Sequence, residues 1–229
     1  MKIKNSLYSL LLIVGMTLSI HAASVDNPLI STLNVDRFEI HNDPERSSLI
    51  EGRWRLGYDI DKLYLYHTIE ASKEGIEAYQ SRFLYARAIS AFWDMQAGVS
   101  YDTQGEHAQT WAEISLMGLA PYYFETHLSL RLNSEGNVGL NLATEYELLL
   151  SQKLILSSSL EADFYTQEDS KMQISSGLSS LEAGLRLRYE IKREIAPYIG
   201  ITWEKSMGEE SQESPSDTTH LLLGIKFWF

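Results

Sequence analysis

The chain has 229 residues, 44% of them hydrophobic and 11% aromatic, and its 31 acidic and 19 basic side chains give a net charge of −12. The absence of cysteine excludes disulfide frameworks, thiolate metal sites and cysteine nucleophiles. The acidic balance argues against a nucleic-acid partner, because binding to phosphates requires clustered lysine and arginine.

The first 22 residues have the pattern of a secretory signal peptide. Lys2 and Lys4 form a positively charged end, residues 7–20 are apolar, and cleavage is most simply placed after Ala22. Residues 23–32 then form a short periplasmic segment, and no later apolar stretch reaches the roughly 18 residues that a spanning helix needs. The sequence therefore predicts export without a helical anchor. The mature chain is soluble in the periplasm, secreted, or inserted as a β-barrel.

From about residue 33 onward, apolar side chains occupy every second position, as in residues 154–164 and 181–191. A strand places such a set on one face, whereas a helix would spread it around its circumference. The runs are about ten residues long, which is the length of a tilted strand that crosses a bilayer. We predict twelve strands, or ten if the first hairpin is loose. The predicted strands span 33–41, 48–58, 62–71, 76–88, 92–102, 108–118, 122–132, 137–149, 152–165, 179–192, 195–205 and 218–229.

The predicted connections alternate in length. Those after the even-numbered strands are tight, whereas those after the odd-numbered strands are longer and more polar, as at 41–47, 103–107, 167–176 and 207–216. Short periplasmic turns and long outer loops are typical of bacterial outer-membrane barrels. An even number of strands also places both ends of the barrel on the periplasmic side.

The last strand adds a second signal for this fold. Apolar residues occupy every second position from Leu221 to a terminal Phe229, a pattern that resembles the signal read by the outer-membrane barrel insertion machinery. We therefore predict an all-β, transmembrane, antiparallel up-and-down barrel over residues 33–229. It lies in the cell outer membrane as a monomer, in contact with lipid and lipopolysaccharide. Its interfacial aromatic girdles are predicted to contain Trp54, Tyr58, Trp93, Tyr122, Tyr123, Trp203 and Trp228.

Several segments resemble the copper resistance protein B family of outer-membrane proteins. The resemblance extends from about residue 50 to the end of the chain. It implies an outer-membrane barrel that serves copper tolerance or copper handling, with periplasmic copper-resistance proteins as partners. The segments are FWDMQAG at 92–98 with Tyr101 and Asp102, GLAPYYFE at 118–125, YELLLSQKLIL at 146–156, GLSSLEAGLRLRYEIKREIAPYIGITWE at 177–204 and FWF at 227–229.

The sequence departs from this family ahead of the barrel. Family members often carry a segment rich in methionine and histidine there, which suits copper(I) and copper(II) respectively. Residues 23–32 contain neither residue type. The predicted copper role therefore depends on the barrel or on a partner protein, with copper as a bound or transported ion rather than a structural one.

The second face of the strands is charged with both signs, and a small barrel turns this face inward. Its net negative charge favours cations over anions. The alternative interpretation of any single charge is a structural ion pair inside the lumen. The predicted inward set is Arg53, Arg55, Tyr64, Tyr66, Glu70, Asp94, Trp111, Glu113, Met117, Glu125, His127, Arg131, Glu145, Glu147, Lys153, Glu161, Asp163, Glu182, Arg186, Arg188, Glu190, Glu204 and Lys226.

The candidate metal ligands lie around His127. Glu125, His127 and Met117 are predicted to point inward on neighbouring strands, with Glu145 on the next strand. Imidazole, carboxylate and thioether ligands together suit copper better than calcium. The alternative interpretation is that His127 is a hydrogen-bonded lumen residue. Further candidates near the outer mouth are His41, His107, Met172, Met207 and His220, and the acidic residues Glu209, Glu210, Glu213 and Asp217.

An outer-membrane lipid hydrolase is a third hypothesis. His127 and Ser129 share one face, and Glu145 or Glu147 is the candidate acid one strand away. A catalytic triad requires all three groups within hydrogen-bond reach, but this set faces a charged lumen rather than lipid. We therefore predict a protein that is not an enzyme and that binds or passes copper. A structural or narrow-pore barrel without metal specificity is the main alternative.

Overall fold

The computed structural model describes residues 27–43, 47–207 and 217–229. The predicted signal peptide and the loop residues Glu209, Glu210 and Glu213 lie outside these ranges. Two short 3-10 helices, Pro121–Tyr123 and Ser170–Met172, interrupt an otherwise all-strand chain. The strands are β1 Ile30–His41, β2 Ser48–Gly57, β3 Asp61–Ser72, β4 Gly75–Ala88, β5 Trp93–Gln104, β6 His107–Ala120, β7 Phe124–Asn133, β8 Val138–Leu149, β9 Leu154–Tyr165, β10 Gly177–Tyr189, β11 Ile195–Ser206 and β12 Asp217–Trp228.

The twelve strands form one closed barrel. Each strand pairs antiparallel with its neighbours in the chain, and β1 pairs with β12 to close the sheet. The predicted fold class and strand number are confirmed, with every predicted strand end within three residues of the observed one, and the ten-strand alternative is wrong. Period-two alternation located the strands because each one must present an apolar face outward and a polar face inward.

The barrel has two rims of different character. At the turn rim, where β1 begins and β12 ends, the connections are 58–60, 89–92, 121–123, 150–153 and 190–194. The opposite end, the loop rim, carries the longer connection 166–176. The predicted alternation in length is wrong at two connections of this rim: Ser72 pairs with Gly75, and Gln104, in the predicted longer loop 103–107, pairs with His107, each across a two-residue turn. Gly105 has a φ of +56° there, which permits a tight hairpin turn.

The outward face of the sheet is an apolar band. Large side chains such as Ile199, Leu130 and Leu223 are exposed on it, and Tyr122 and Trp228 are exposed at the turn rim. This distribution matches a lipid-facing band with aromatic residues at its edge. Within the described residues, no helix has the length and apolar character needed to cross a membrane.

The buried interior of the barrel is mainly polar rather than apolar. Glu39, Glu113, Arg131 and Arg186 are all buried there, and they are joined in ion pairs. Such pairing compensates the loss of hydration that each charge suffers. One predicted inward residue is misplaced: Lys153 is exposed in the turn 150–153, because β9 begins only at the next residue.

Candidate functional site in the barrel lumen

Two cavities of similar size occupy the lumen. The inner cavity, of about 460 Å³, lies in the half near the turn rim and is bordered by Glu125 and Lys226. The outer cavity, of about 420 Å³, lies in the half near the loop rim and is bordered by Asp102 and Glu204. Three carboxylates line both cavities, and they are Glu51, Glu161 and Glu182.

The two cavities differ in charge. The inner cavity has six acidic and five basic lining residues, whereas the outer cavity has seven acidic and three basic ones. The negative excess is therefore concentrated in the outer half. The inner set is Asp36, Glu51, Glu125, Glu145, Glu161, Glu182, Arg37, Arg53, Arg186, Arg188 and Lys226. The outer set is Glu51, Glu70, Asp102, Glu161, Asp163, Glu182, Glu204, Arg82, Arg131 and Lys205.

The four predicted metal ligands share one wall of the inner cavity. Met117 on β6 lies directly opposite His127 on β7, and Glu125 on β7 lies opposite Glu145 on β8. All four line the inner cavity. The strand register brings them together because each occupies an inward position near the turn-rim end of its strand. Copper binding by these side chains stays a prediction.

His127 is engaged by an arginine that the sequence analysis missed. Arg82 reaches over from β4, and its Nη2 donates a hydrogen bond to His127 Nε2 at 3.1 Å. Arg82 also forms a bidentate ion pair with Glu113 on β6, in which Nε lies 3.1 Å from Oε2. Since arginine has only donors, His127 must supply the Nε2 lone pair, which is the same lone pair that would bind a metal.

Met117 is held by hydrogen bonds to its sulfur. The Tyr66 hydroxyl lies 3.5 Å from Met117 Sδ, and Gln96 Nε2 lies 3.7 Å from it. In the part of the chain that the structure describes, no group of three or more histidine or acidic side chains is arranged to hold a metal ion. The candidate site is therefore not preorganised, and a copper ion at His127 has to displace Arg82.

The alternative serine–histidine pair is not assembled. Ser129 is buried and lies opposite Ser115 across the β6–β7 ladder. Within the described residues, the ring-nitrogen contact of His127 is to Arg82 and not to Ser129. A hydroxyl without its general base in reach is not activated as a nucleophile.

Two kinds of residue escaped the sequence analysis. Arg82 was detectable, because it occupies the inward parity of β4 between Gln80 and Leu84. Arg37 was obscured by an irregular register in β1 between Val35 and Arg37. The consecutive residues Asp36 and Arg37 both line the inner cavity. A β-bulge of this kind inserts one residue and reverses the alternation beyond it.

Two porins are among the solved structures that share this fold. A NanC porin superposes with a TM-score of 0.58 and 12% sequence identity, covering 85% of this chain and 98% of that one. A KdgM porin superposes with a TM-score of 0.52 and 10% identity, covering 86% and 99%. Identities this low show the likeness of the fold alone.

Sequence comparison identifies a family. The model of the family described as Copper resistance protein B precursor (CopB) matches residues 29–229. Copper resistance protein B of Escherichia coli is 38% identical over 179 residues, which are 76% of this chain and 60% of that protein. A Copper resistance protein B homolog of Pseudomonas syringae pv. tomato is 33% identical over 213 residues, covering 89% and 71%. The chain therefore belongs to the copper resistance protein B family and folds as one of its outer-membrane β-barrels.

Proposed function

We propose that this barrel acts in copper resistance by binding copper ions in its lumen and passing them across the outer membrane. The names of its relatives support copper as the ion. The observation that carries passage is that the two cavities share Glu51, Glu161 and Glu182, so polar walls extend along the lumen. The role is not enzymatic.

The two halves of the lumen divide the task. Outer-membrane barrels carry their long loops on the outer side, so the loop rim, which has the connection 166–176, faces outward and the turn rim faces the periplasm. The carboxylate excess of the outer cavity raises the local concentration of cations. The inner cavity then offers the imidazole of His127 and the thioether of Met117, which copper prefers to carboxylate oxygen. Arg82 has to move for His127 to take part.

The proposed surroundings follow from the same geometry. Lipid and lipopolysaccharide contact the apolar outer band of a monomeric barrel. The alternating apolar segment from Leu221 to Phe229 is the one proposed to be read by the insertion machinery. Periplasmic copper-resistance proteins meet the barrel at the turn rim and exchange copper with the inner cavity.

The test measures total cellular copper and copper tolerance in cells with and without the protein. We expect both to change, and the direction of the change in copper content separates uptake from export or sequestration. A barrel that carries Ser129→Ala serves as a matched control for expression, since Ser129 has no proposed role in copper binding. If neither quantity changes, the copper proposal is rejected, and a structural or narrow-pore barrel without metal specificity replaces it.

A further inference from the structure

Arg37 lines the inner cavity and contacts two of the carboxylates that both cavities share. Arg37 Nε lies 3.2 Å from Glu51 Oε2, and Arg37 Nη1 lies 3.7 Å from Glu182 Oε1. Glu51 is on the neighbouring strand β2, but Glu182 is on β10, which β12 and β11 separate from β1. The guanidinium therefore joins two strands that are not neighbours in the sheet, across part of the lumen. Both of its partners line both cavities.

The wall that Arg37 meets carries a row of like charges. Glu182 lies directly opposite Glu161 on β9 and directly opposite Glu204 on β11. Carboxylates in direct cross-strand register destabilise a sheet, so this row needs compensation. Arg37 and Arg186 approach Glu182 at 3.7 and 3.8 Å, respectively. The row formed by Glu161, Glu182 and Glu204 therefore needs a positive charge beside it.

Arg37 is held more loosely than the other arginine of this wall. Arg186 bonds the fully buried Glu39 at 2.7 and 3.2 Å and Ser159 at 2.9 Å. The shortest contact of Arg37 with a carboxylate is 3.2 Å, longer than the roughly 2.7–2.9 Å of a strong charge-assisted hydrogen bond. Its side chain is 17% exposed, and those of Glu51 and Glu182 are 29% and 27% exposed, against 8% for Arg186. Arg186 is thus fixed in the wall, whereas Arg37 borders open space.

We propose that Arg37 is the displaceable counter-ion of a cation-selective constriction. A small cation that crosses the barrel takes the place of the guanidinium beside Glu51 and Glu182, with the Glu161 carboxylate as its third neighbour. Anions meet the acidic row and are excluded. This constriction would select cations whether or not the proposed function is correct. Only the identification of the cation as copper rests on the proposed function.

The test records currents through the refolded full-length barrel in planar lipid bilayers under a potassium chloride gradient. Arg37→Met should raise the conductance and shift the reversal potential toward the potassium equilibrium value, since it removes the resident positive charge and retains side-chain bulk. Arg53→Met is the matched control. Arg53 also lines the inner cavity, but it approaches Asp36, at 3.8 Å, rather than a carboxylate that both cavities share. Its loss should therefore leave the conductance close to that of the unmodified barrel.

Two results overturn the proposal: an Arg37→Met barrel with unchanged conductance and reversal potential, or an Arg53→Met barrel that reproduces both changes. If Arg37→Met does not yield a heat-modifiable folded band on gels, Glu182→Gln replaces it. That variant should lose cation preference, and an unchanged reversal potential rejects the constriction. The recordings contain no copper. Altered selectivity in Arg37→Met with no effect of the protein on cellular copper would therefore reject copper as cargo and leave the constriction standing.

Discussion

The inner and outer cavities are built from the same twelve strands but offer different chemistry. Of the described residues that line the outer cavity, seven are acidic and three are basic, and none is a histidine. The inner cavity is nearly balanced in charge and contains His127 and Met117. A charge excess acts over a distance of about 8 Å in physiological salt, whereas a coordinating nitrogen or sulfur acts only on contact. In the proposed function, attraction of a cation and its recognition therefore belong to different parts of one lumen.

The basic residues account for much of this difference. In the inner half, Arg188 bonds Glu147 at 2.8 Å, and Asp36 lies 3.8 Å from both Arg53 and Lys226. In the outer half, Arg131 bonds Asp102 at 3.0 Å. Among the described residues, Glu70 and Glu204 of the outer half have no ion pair.

The largest expected effect is on stability, at the buried ion pair that joins β1 to β10. Glu39 on β1 is fully buried and bonds Arg186 on β10 at 2.7 Å and Tyr198 on β11 at 2.8 Å. These bonds reach past β12, whose ladder with β1 is irregular. Glu39→Gln removes the short ion pair of the buried Arg186 and leaves it, among the described carboxylates, only the 3.8 Å contact with Glu182. The free energy of unfolding should therefore fall by about 3–5 kcal/mol. Urea unfolding of the refolded barrel, followed by its heat-modifiable band, measures this.

Glu204→Gln is the matched control for that measurement. It removes a lumenal carboxylate of the same type that has no ion pair in the described chain, so it should change the free energy of unfolding far less. Equal losses in the two variants would show that the bonds across the closing seam do not stabilise the barrel.

The next effect concerns recognition in the inner cavity. His127→Ala combined with Met117→Ala should lower the copper affinity of the refolded barrel at least about tenfold, because even the outer-shell partners of metal ligands contribute roughly 10–100-fold. Copper titration measures this. An unchanged titration curve removes His127 and Met117 as ligands.

Removal of Arg82, which contacts His127, tests the same copper site from the opposite direction. Arg82→Gln combined with Glu113→Gln removes both charges of the buried pair, so no uncompensated charge remains, and it frees the Nε2 lone pair of His127. Copper affinity should rise in this variant if His127 is a ligand. A rise that persists when His127→Ala is added would locate the copper elsewhere in the lumen.

The smallest expected effect tests the charge contrast between the halves. Glu125→Gln with Glu145→Gln changes the inner lining from one net negative to one net positive charge, counted from its six acidic and five basic residues. Glu70→Gln with Glu204→Gln leaves the outer lining with five acidic against three basic residues. Cation preference, measured from the reversal potential in potassium chloride, should therefore fall more in the inner variant. A larger fall in the outer variant would show that the outer half controls selectivity.

The candidate site was only partly predictable. Met117, Glu125, His127 and Glu145 were placed on one wall because parity and strand order determine which inward residues are neighbours in a barrel. Their partners were not, since Arg82 lies on β4 and reaches His127 over the lumen from a strand that is not its neighbour. Neighbour relations of this kind depend on side-chain length and on the curvature of the closed sheet.

The sequence by itself determined the positions of the strands and, outside β1, their two faces, because period-two alternation is a local property that each bilayer-crossing strand must satisfy alone. Only the tertiary structure decided which lumenal charges meet. The pairing of Arg37 with Glu182 requires closure of the sheet through β12. The inward direction of Arg37 requires a β-bulge, and a bulge forms only when a strand pairs with its neighbour. Charges that are remote in sequence become neighbours when the barrel closes, and a local sequence pattern does not predict these contacts.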